Sequence, residues 1–191
     1  MKNNLIPSIR LTIVCLVFFC GFYTLTVLGI AKLGPASWTF TKNENGYYMN
    51  VGQRFVNDRY FWSRPSAVGY NAAGSGGSNK GPSNPDYLAE VQARIDTFLT
   101  HNPEIRKEEI PSELVTASGS GIDPDISVQA ANVQVKRIAK ARNISETTIH
   151  QIIEQYTEKP LLGLFGVVKL NVVRLNLALD NFSSLKETTV K

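Results

Sequence analysis

A single membrane helix carrying one small α+β domain is the architecture the sequence predicts, and three observations carry it. Leu11 to Ala31 is a 21-residue stretch without a charge, bracketed by Arg10 and Lys32. At ~1.5 Å per residue this amounts to about 30 Å of helix, the thickness of a bilayer's hydrocarbon core. The rest of the chain mixes strand-like clusters with segments of helical periodicity, the pattern of a mixed sheet-and-helix domain. Finally, 43% hydrophobic and 19% charged residues, with nine Phe and seven Tyr, suit a packed core rather than a disordered chain. A length of 191 residues allows one modest domain plus one accessory segment and is too short for a polytopic transporter.

The apolar stretch divides the chain into an N-terminus (1–10), an anchor helix (11–31) and one domain (32–191). A cleavable signal peptide competes with the anchor, because Gly29 and Ala31 satisfy the small-residue rule for cleavage after Ala31. The apolar region of such a peptide is roughly 7–15 residues, shorter than this one. Lys2 and Arg10 precede the stretch and Lys32 alone follows closely, so the positive-inside bias places the N-terminus in the cytoplasm and the domain outside. Cys15 and Cys20 both lie in the stretch, which leaves the domain no disulfide. Gly21 and Gly29, eight residues apart, share nearly one helix face, where another helix could approach closely. Without residues 1–32 the chain holds 17 Lys and Arg against 16 Asp and Glu. The basic pI therefore argues little for nucleic acid, and no aromatic interleaving accompanies the basic residues.

Within the domain, aromatic clusters between Gly34 and Ser66 (SWTF, GYYM, RYFW) read as short strands and turns. Gly69 to Pro85, GYNAAGSGGSNKGPSNP, has almost nothing to bury and is a loop suited to interaction. Asn84 as N-cap, Pro85 at the first helical position and Asp86 in the first turn open a helix. Leu88, Val91, Ile95, Phe98 and Leu99 give it an apolar face as far as His101, and Asn102–Pro103 stops it. A second helix is predicted from Ser127 to Arg142, with Ala131, Val135, Ile138 and Ala139 inward. A third, beginning after Asn143 or Ser145, carries Ile149, Ile152, Ile153 and Tyr156 and ends at Pro160. After GLFG, the run VVKLNVVRLNLAL (Val167 to Leu179) reads as a strand covered on both sides or bulged near Val172, and the tail after Asp180 as frayed.

Chemical motifs are sparse. Gly74 to Lys80 fails as a phosphate-binding loop because Asn79 stands where the second glycine belongs. Ser120 in ASGSG has Ser118, not glycine, two places before it, so the nucleophile elbow is broken. Ser183 and Lys186 match SxxK by spacing only. His101 and His150 read as solvated surface histidines, and without paired histidines or free cysteines in the domain a transition-metal site is not expected. Asp123 and Asp125 flank Pro124 as a turn with negative charge near a helix start, or as an attraction for a cation. Lys136, Arg137, Lys140 and Arg142 form a basic cluster that reads first as a solvated helix face, partly balanced by Glu146, and second as a dock for a phosphate or acidic partner.

Five blocks taken in order resemble one family: FWSRPSA (61–67), YNAAGSGGSNKGPSNP (70–85), LVTASGSGIDP (114–124), GLFG (163–166) and NVVRLNLALD (171–180). With the anchor, from about Pro7 to Asp180, they are similar to the C subunit of the Kdp potassium-transporting P-type ATPase, the KdpC family. The resemblance implies an accessory subunit of a high-affinity ATP-driven potassium importer. Its partners would be a channel-like A subunit carrying the ion pathway, a P-type B subunit that hydrolyses ATP, a small F subunit and membrane lipid. Family members are described as catalytic chaperones that raise the ATP affinity of the B subunit. No cofactor would belong to this chain alone, ATP and potassium belonging to the complex. The phosphorylatable DKTG motif of a P-type pump is absent, and the family's DPH is DPD here, with Asp125. A domain outside the membrane cannot touch cytoplasmic ATP, which favours indirect coupling. The nucleotide contact that family descriptions propose would need the opposite orientation or only the residues before Leu11, and covering the outer entrance of the ion pathway is a further role.

The expected partner contacts are Gly21 and Gly29 on the anchor, Arg64, and two loops. One loop holds Ser75, Gly76, Gly77, Ser78, Asn79 and Asn84, the other Thr116, Ser118, Ser120 and Asp123. Two alternatives belong to other classes: an anchored serine hydrolase using Ser118 or Ser120, and a binding protein released after Ala31.

Overall fold

The computed structural model describes residues 2–33, 42 and 46–189, with side chains for 4–33, 42 and 46–182. The SWTF cluster and the Ser183–Lys186 pair, as side chains, lie outside the described residues. The chain separates into two units, Met1–Thr41 and Lys42–Lys191.

The first unit is one helical rod: α1 (Lys2–Leu16), a π-helical stretch (Val17–Tyr23) and α2 (Thr24–Leu33). Asn4–Leu33 is long and apolar enough to cross a membrane. The helix thus extends beyond the predicted 11–31 at both ends. Its large apolar side chains are all exposed, Leu25 at 67% and Phe22 at 64%, and Phe18 stacks on Phe22 along the helix itself. Its hydroxyls turn back onto the backbone, Thr12 Oγ1 donating to Ser8 O at 2.9 Å and Thr26 Oγ1 to Phe22 O at 2.8 Å. Each donor is thereby satisfied without water, as hydrocarbon surroundings demand.

The second unit is α+β. Its elements are α3 (Pro85–His101), β1 (Asp125–Ile126), α4 (Val128–Asn132), α5 (Val135–Arg142), α6 (Glu146–Tyr156), β2 (Thr157–Glu158), β3 (Lys169–Asn171) and α7 (Val172–Thr189). The antiparallel sheet runs β1-β3-β2, pairing Ile126 with Leu170 and Thr157 with Leu170. Against it pack Ala131, Val135, Ile138, Ile149, Ile153, Leu175 and Leu179, all buried in one core with Phe61 and Phe98.

Helix starts obey their caps. Asn84 accepts from Tyr87 N at 3.0 Å, Ser127 from Ala130 N at 3.1 Å and Ser145 from Thr148 N at 3.2 Å. The α3 face is shallower than its periodicity suggests: Phe98 is buried, but Leu88 is 51% exposed. The predicted Ser127–Arg142 helix is broken at Val133–Gln134 into α4 and α5. Gln134 is fully buried at the break. It donates to Ala130 O (2.9 Å) and accepts from Trp62 N (2.8 Å) and Arg137 Nη2 (2.7 Å). The third helix ends at Tyr156, four residues before Pro160, where the chain enters β2.

Two readings are corrected. The Val167–Leu179 run is a strand only at Lys169–Asn171; α7 begins at Val172 and continues through the expected frayed tail to Thr189. Asn171 makes the switch, its Oδ1 accepting from Arg174 N at 3.0 Å in the manner of an N-cap. Val172, Leu175, Asn176 and Leu179 are then buried at helical spacing. The RYFW cluster forms no strand either. Its backbone is bonded by side chains: Phe61 N donates to Asn176 Oδ1 (2.8 Å) and Phe61 O accepts from Asn176 Nδ2 (3.0 Å), so one amide stands in for a neighbouring strand.

The basic cluster is a second-order correction, because only Lys136 and Lys140 of the four behave as a solvated face. Arg137 is buried. Its Nη1 donates to the carbonyls of Asp58 and Tyr60 (3.1 Å each), its Nε to Asn102 Oδ1 (3.1 Å), and its guanidinium lies 4.5 Å from the Trp62 ring. Burial pulls it down to about 10, against the opposing pull of Asp58. Arg142 reaches Arg59 O (2.6 Å) and Asp180 (2.7 Å) with its side chain 1% exposed. His150 is exposed as expected. His101 is not merely solvated: its Nδ1 lies 2.7 Å from Asp58 Oδ1 and its ring 5.0 Å from that of Trp62.

Candidate functional site

The two Gly/Ser loops, 45 residues apart in sequence, meet in space. Gly76 N–H donates to Ser120 O at 2.9 Å, and Ser75 Oγ donates to the same carbonyl at 2.9 Å. Ser118 N–H donates to Pro65 O at 3.0 Å, tying the second loop to the segment after Arg64. Ser66 Oγ is the hub of this assembly. It donates to Gly121 O at 2.6 Å and accepts from Tyr70 N at 2.8 Å.

Closeness is possible only because side chains are missing. Gly121 has φ +69, and a Cβ there would lie 2.5 Å from Val68 Cγ2 and 2.7 Å from Gly76 O. A Cβ on Gly77 would press on Gly119 O at 3.2 Å. Glycine is required at 121 by conformation and by space together.

The rim is fixed by charge pairs. Arg64 Nη1 meets Asp123 Oδ2 at 2.8 Å, and Lys80 pairs with Glu90 on α3. Asp123 Oδ1 also accepts from Asp125 N (3.0 Å), while Asp125 holds Lys169 Nζ at 2.6 Å. The two carboxylates flanking Pro124 are therefore spent on a turn and two cations, and among the described residues no cluster of metal-ligating side chains occurs. Tyr70, whose hydroxyl donates to Arg64 O at 2.7 Å, has its phenol pushed up by burial.

Of the expected contacts, the structure thus brings together Arg64, Ser75, Gly76, Gly77, Ser118, Ser120 and Asp123. Ser75, Asn79, Gly119 and Ser120 are exposed and form a small polar platform. Ser78 and Asn79 lie on the turn leading to Lys80, Asn79 with φ +54. Asn84 is committed to capping α3, and Thr116 Oγ1 to Ser112 O at 2.8 Å. Gly21 sits in the π-helical stretch and Gly29 in α2, both with open space where a Cβ would be.

Both candidate nucleophiles take part in the turn's own hydrogen bonds. Ser118 is 2% exposed and its Oγ accepts from Gly121 N at 2.9 Å; Ser120 Oγ accepts from Ile122 N at 3.2 Å. Beside the platform, a cleft of about 510 Å³ is lined by Arg54, Trp62, Tyr70, Arg94, Phe98 and His101. Sequence reading missed Ser66 and Gly121 as the residues on which the platform is built. It also missed the exposure of Leu161, Leu162, Leu164 and Phe165 around GLFG, for which the uncharged run itself is the available signal.

The model of the family described as "K+-transporting ATPase, c chain" matches residues 5–181. A Phocaeicola vulgatus protein named potassium-transporting ATPase KdpC subunit is 52% identical over 185 residues, covering 93% of this chain and 98% of its own length. Proteins of the same name from Bacteroides thetaiotaomicron (49% over 185 residues) and Flavobacterium johnsoniae (50% over 182) also cover 93% of this chain and 98% of theirs.

Proposed function

Because the chain belongs to the KdpC family, the c chain of K+-transporting ATPases, we propose that it is a non-catalytic, membrane-anchored accessory subunit that supports assembly of a high-affinity potassium importer. In this reading it also raises the ATP affinity of the P-type catalytic B subunit, and it assembles with the channel-like A subunit and the small F subunit. ATP and potassium are handled by those partners.

The observation that supports the non-catalytic part is that the two candidate nucleophiles, the Asp123/Asp125 pair and two of the four basic residues are all engaged in holding the fold. Ser118 and Ser120 accept turn amides, Asp123 and Asp125 hold Arg64 and Lys169, and Arg137 and Arg142 bind carbonyls of 58–60. A hydrolase would need one of those serines beside a base. What is left open to solvent is a rigid polar platform, Ser75, Asn79, Gly119 and Ser120, which suits contact with another protein.

Lys2 and Arg10 before the helix support a cytoplasmic N-terminus with the domain outside. From there the domain acts on ATP binding by favouring the pump conformation that holds ATP tightly. A tenfold gain in affinity asks for about 1.4 kcal/mol of differential contact, within reach of a small interface.

The test is to tag the C-terminus, extract membranes in mild detergent, and measure potassium-stimulated ATPase activity of the eluate with and without this chain. Co-recovery of a P-type ATPase and a channel-like subunit, with a lower KM for ATP when the chain is present, is the expected result. Recovery of the chain alone under conditions that keep other membrane complexes intact sinks the accessory reading. An unchanged KM in an intact complex sinks its ATP-affinity part.

A further inference from the structure

Residues 160–168, PLLGLFGVV, are nine consecutive positions without a charge or a polar side chain. They form an isolated turn bridged between Leu161 and Phe165, and its large side chains stand open: Leu161 71%, Leu162 81%, Leu164 80%, Phe165 65% and Val167 74%. Contiguous apolar exposure of this kind marks an interaction site.

Four of the turn's N–H groups are bonded from within it. Leu161 N–H donates to Phe165 O (2.8 Å), Phe165 N–H to Leu161 O (3.0 Å), Gly163 N–H to Pro160 O (3.0 Å) and Leu164 N–H to Leu161 O (3.2 Å). Leu162 at φ +56 and Gly163 at φ +73 make this closure possible.

We propose that this hairpin inserts its apolar tip into the bilayer that holds the Asn4–Leu33 helix, fixing the domain against the membrane surface. The four amides bonded within the turn cost less to bring to the hydrocarbon boundary, where less water is available to bond them, and those left over can stay at headgroup level. A convex wedge of bare side chains finds a fitting surface in fluid acyl chains, whereas a protein would have to supply a matching cavity. The hairpin and the apolar Asn4–Leu33 helix belong to one chain. Insertion is then intramolecular, at an effective concentration that a single loop would not meet in solution. Exposed Lys159 at the foot of the hairpin can rest its ammonium among headgroups. The inference rests on the anchoring helix and not on the transporter partnership.

The full chain carrying Phe165→Trp is reconstituted alone into phosphatidylcholine vesicles with brominated acyl chains, and its emission is compared with the unsubstituted chain. Val56→Trp, at an exposed position away from the hairpin, is the control. A blue-shifted, bromine-quenched signal from position 165 but not from position 56 is expected. Adding Leu164→Asp to Phe165→Trp should abolish the quenching with the melting temperature unchanged. Water-like, unquenched emission from position 165 overturns the proposal. So does emission that, in the assembled transporter in the same lipid, is blue-shifted yet unquenched, because a protein partner then covers the hairpin.

Discussion

Residues 57–62 and residues 160–168 solve opposite halves of one problem. The first segment buries Phe61 completely and half-buries Trp62, yet forms no strand; its backbone groups are bonded by Asn176, Gln134, Arg137 and Arg142 from elsewhere in the chain. The second bonds four of its own N–H groups internally and leaves its side chains bare. A segment whose polar atoms depend on distant residues is useless outside the native fold, so it specifies that fold. A segment whose backbone bonds are local and whose apolar side chains are uncovered is stable alone only as far as something covers it.

The contrast breaks most visibly at Arg137. Arg137→Met leaves the half-buried carbonyls of Asp58 and Tyr60 and the buried side-chain oxygens of Asn102 and Gln134 without the guanidinium that bonds them, and denaturant melts of the full chain in detergent should show a loss of about 3–5 kcal/mol. Lysine should not rescue it, since one ammonium cannot reproduce the guanidinium fork. Asn176→Ala, which strands the N–H and C=O of Phe61, should cost about 2–3 kcal/mol by the same measurement. Gly121→Ala should cost about 1–2 kcal/mol through its left-handed backbone and the contact with Val68. It should also lower recovery of partner subunits in a pull-down more than its stability loss explains.

By contrast Leu162→Ser or Leu164→Asp should shift stability by no more than about 0.5 kcal/mol, because these side chains touch little within the chain. A loss above 2 kcal/mol at either would mean that the hairpin belongs to the core.

The gentlest test is acid. Glu90, Glu104 and Glu109 are held below the usual carboxylate value of 4.5 by hydrogen bonds from Lys80, Lys136 and Arg106. Folded-state pKa values below the unfolded ones mean that their stabilisation is whole above pH 4.5 and drains as pH falls through the folded values. Glu104→Gln should flatten the fall in melting temperature between pH 5 and 3; an unchanged slope would remove the Lys136 pair from the account.

Local grammar was legible. Asn84, Ser127 and Ser145 cap where a polar residue before an apolar face says they should, and Ala131, Val135, Ile138, Ile149 and Ile153 are buried as their spacing indicates. Val172 to Leu179 was not, because Val, Leu and Asn there satisfy a period of two and one of 3.6 equally, and the deciding fact is the bond from Arg174 N to Asn171. The aromatic cluster at 60–62 has strand composition, yet its hydrogen bonds go to amides 72 and 115 residues away. Charge misled at Arg137 and Arg142, which look like Lys136 and Lys140 in sequence but point inward. The family resemblance supplied only the expectation that the Gly/Ser loops meet partners; their contact with each other rests on Gly76, Ser120 and Gly121, which no local pattern joins.

The Asn176 clamp on Phe61 also sets an order of events. A chain made from its N-terminus has its sixty-first residue in hand long before its one hundred and seventy-sixth, and for that whole interval the N–H and C=O of Phe61 lack the amide that bonds them. Arg137 and Arg142 arrive earlier, but Asp180, which anchors Arg142, arrives later still. Closure of the domain therefore waits on α7, and a chain stopped short of Asn176 should remain open, protease-sensitive and fit for disposal rather than half folded.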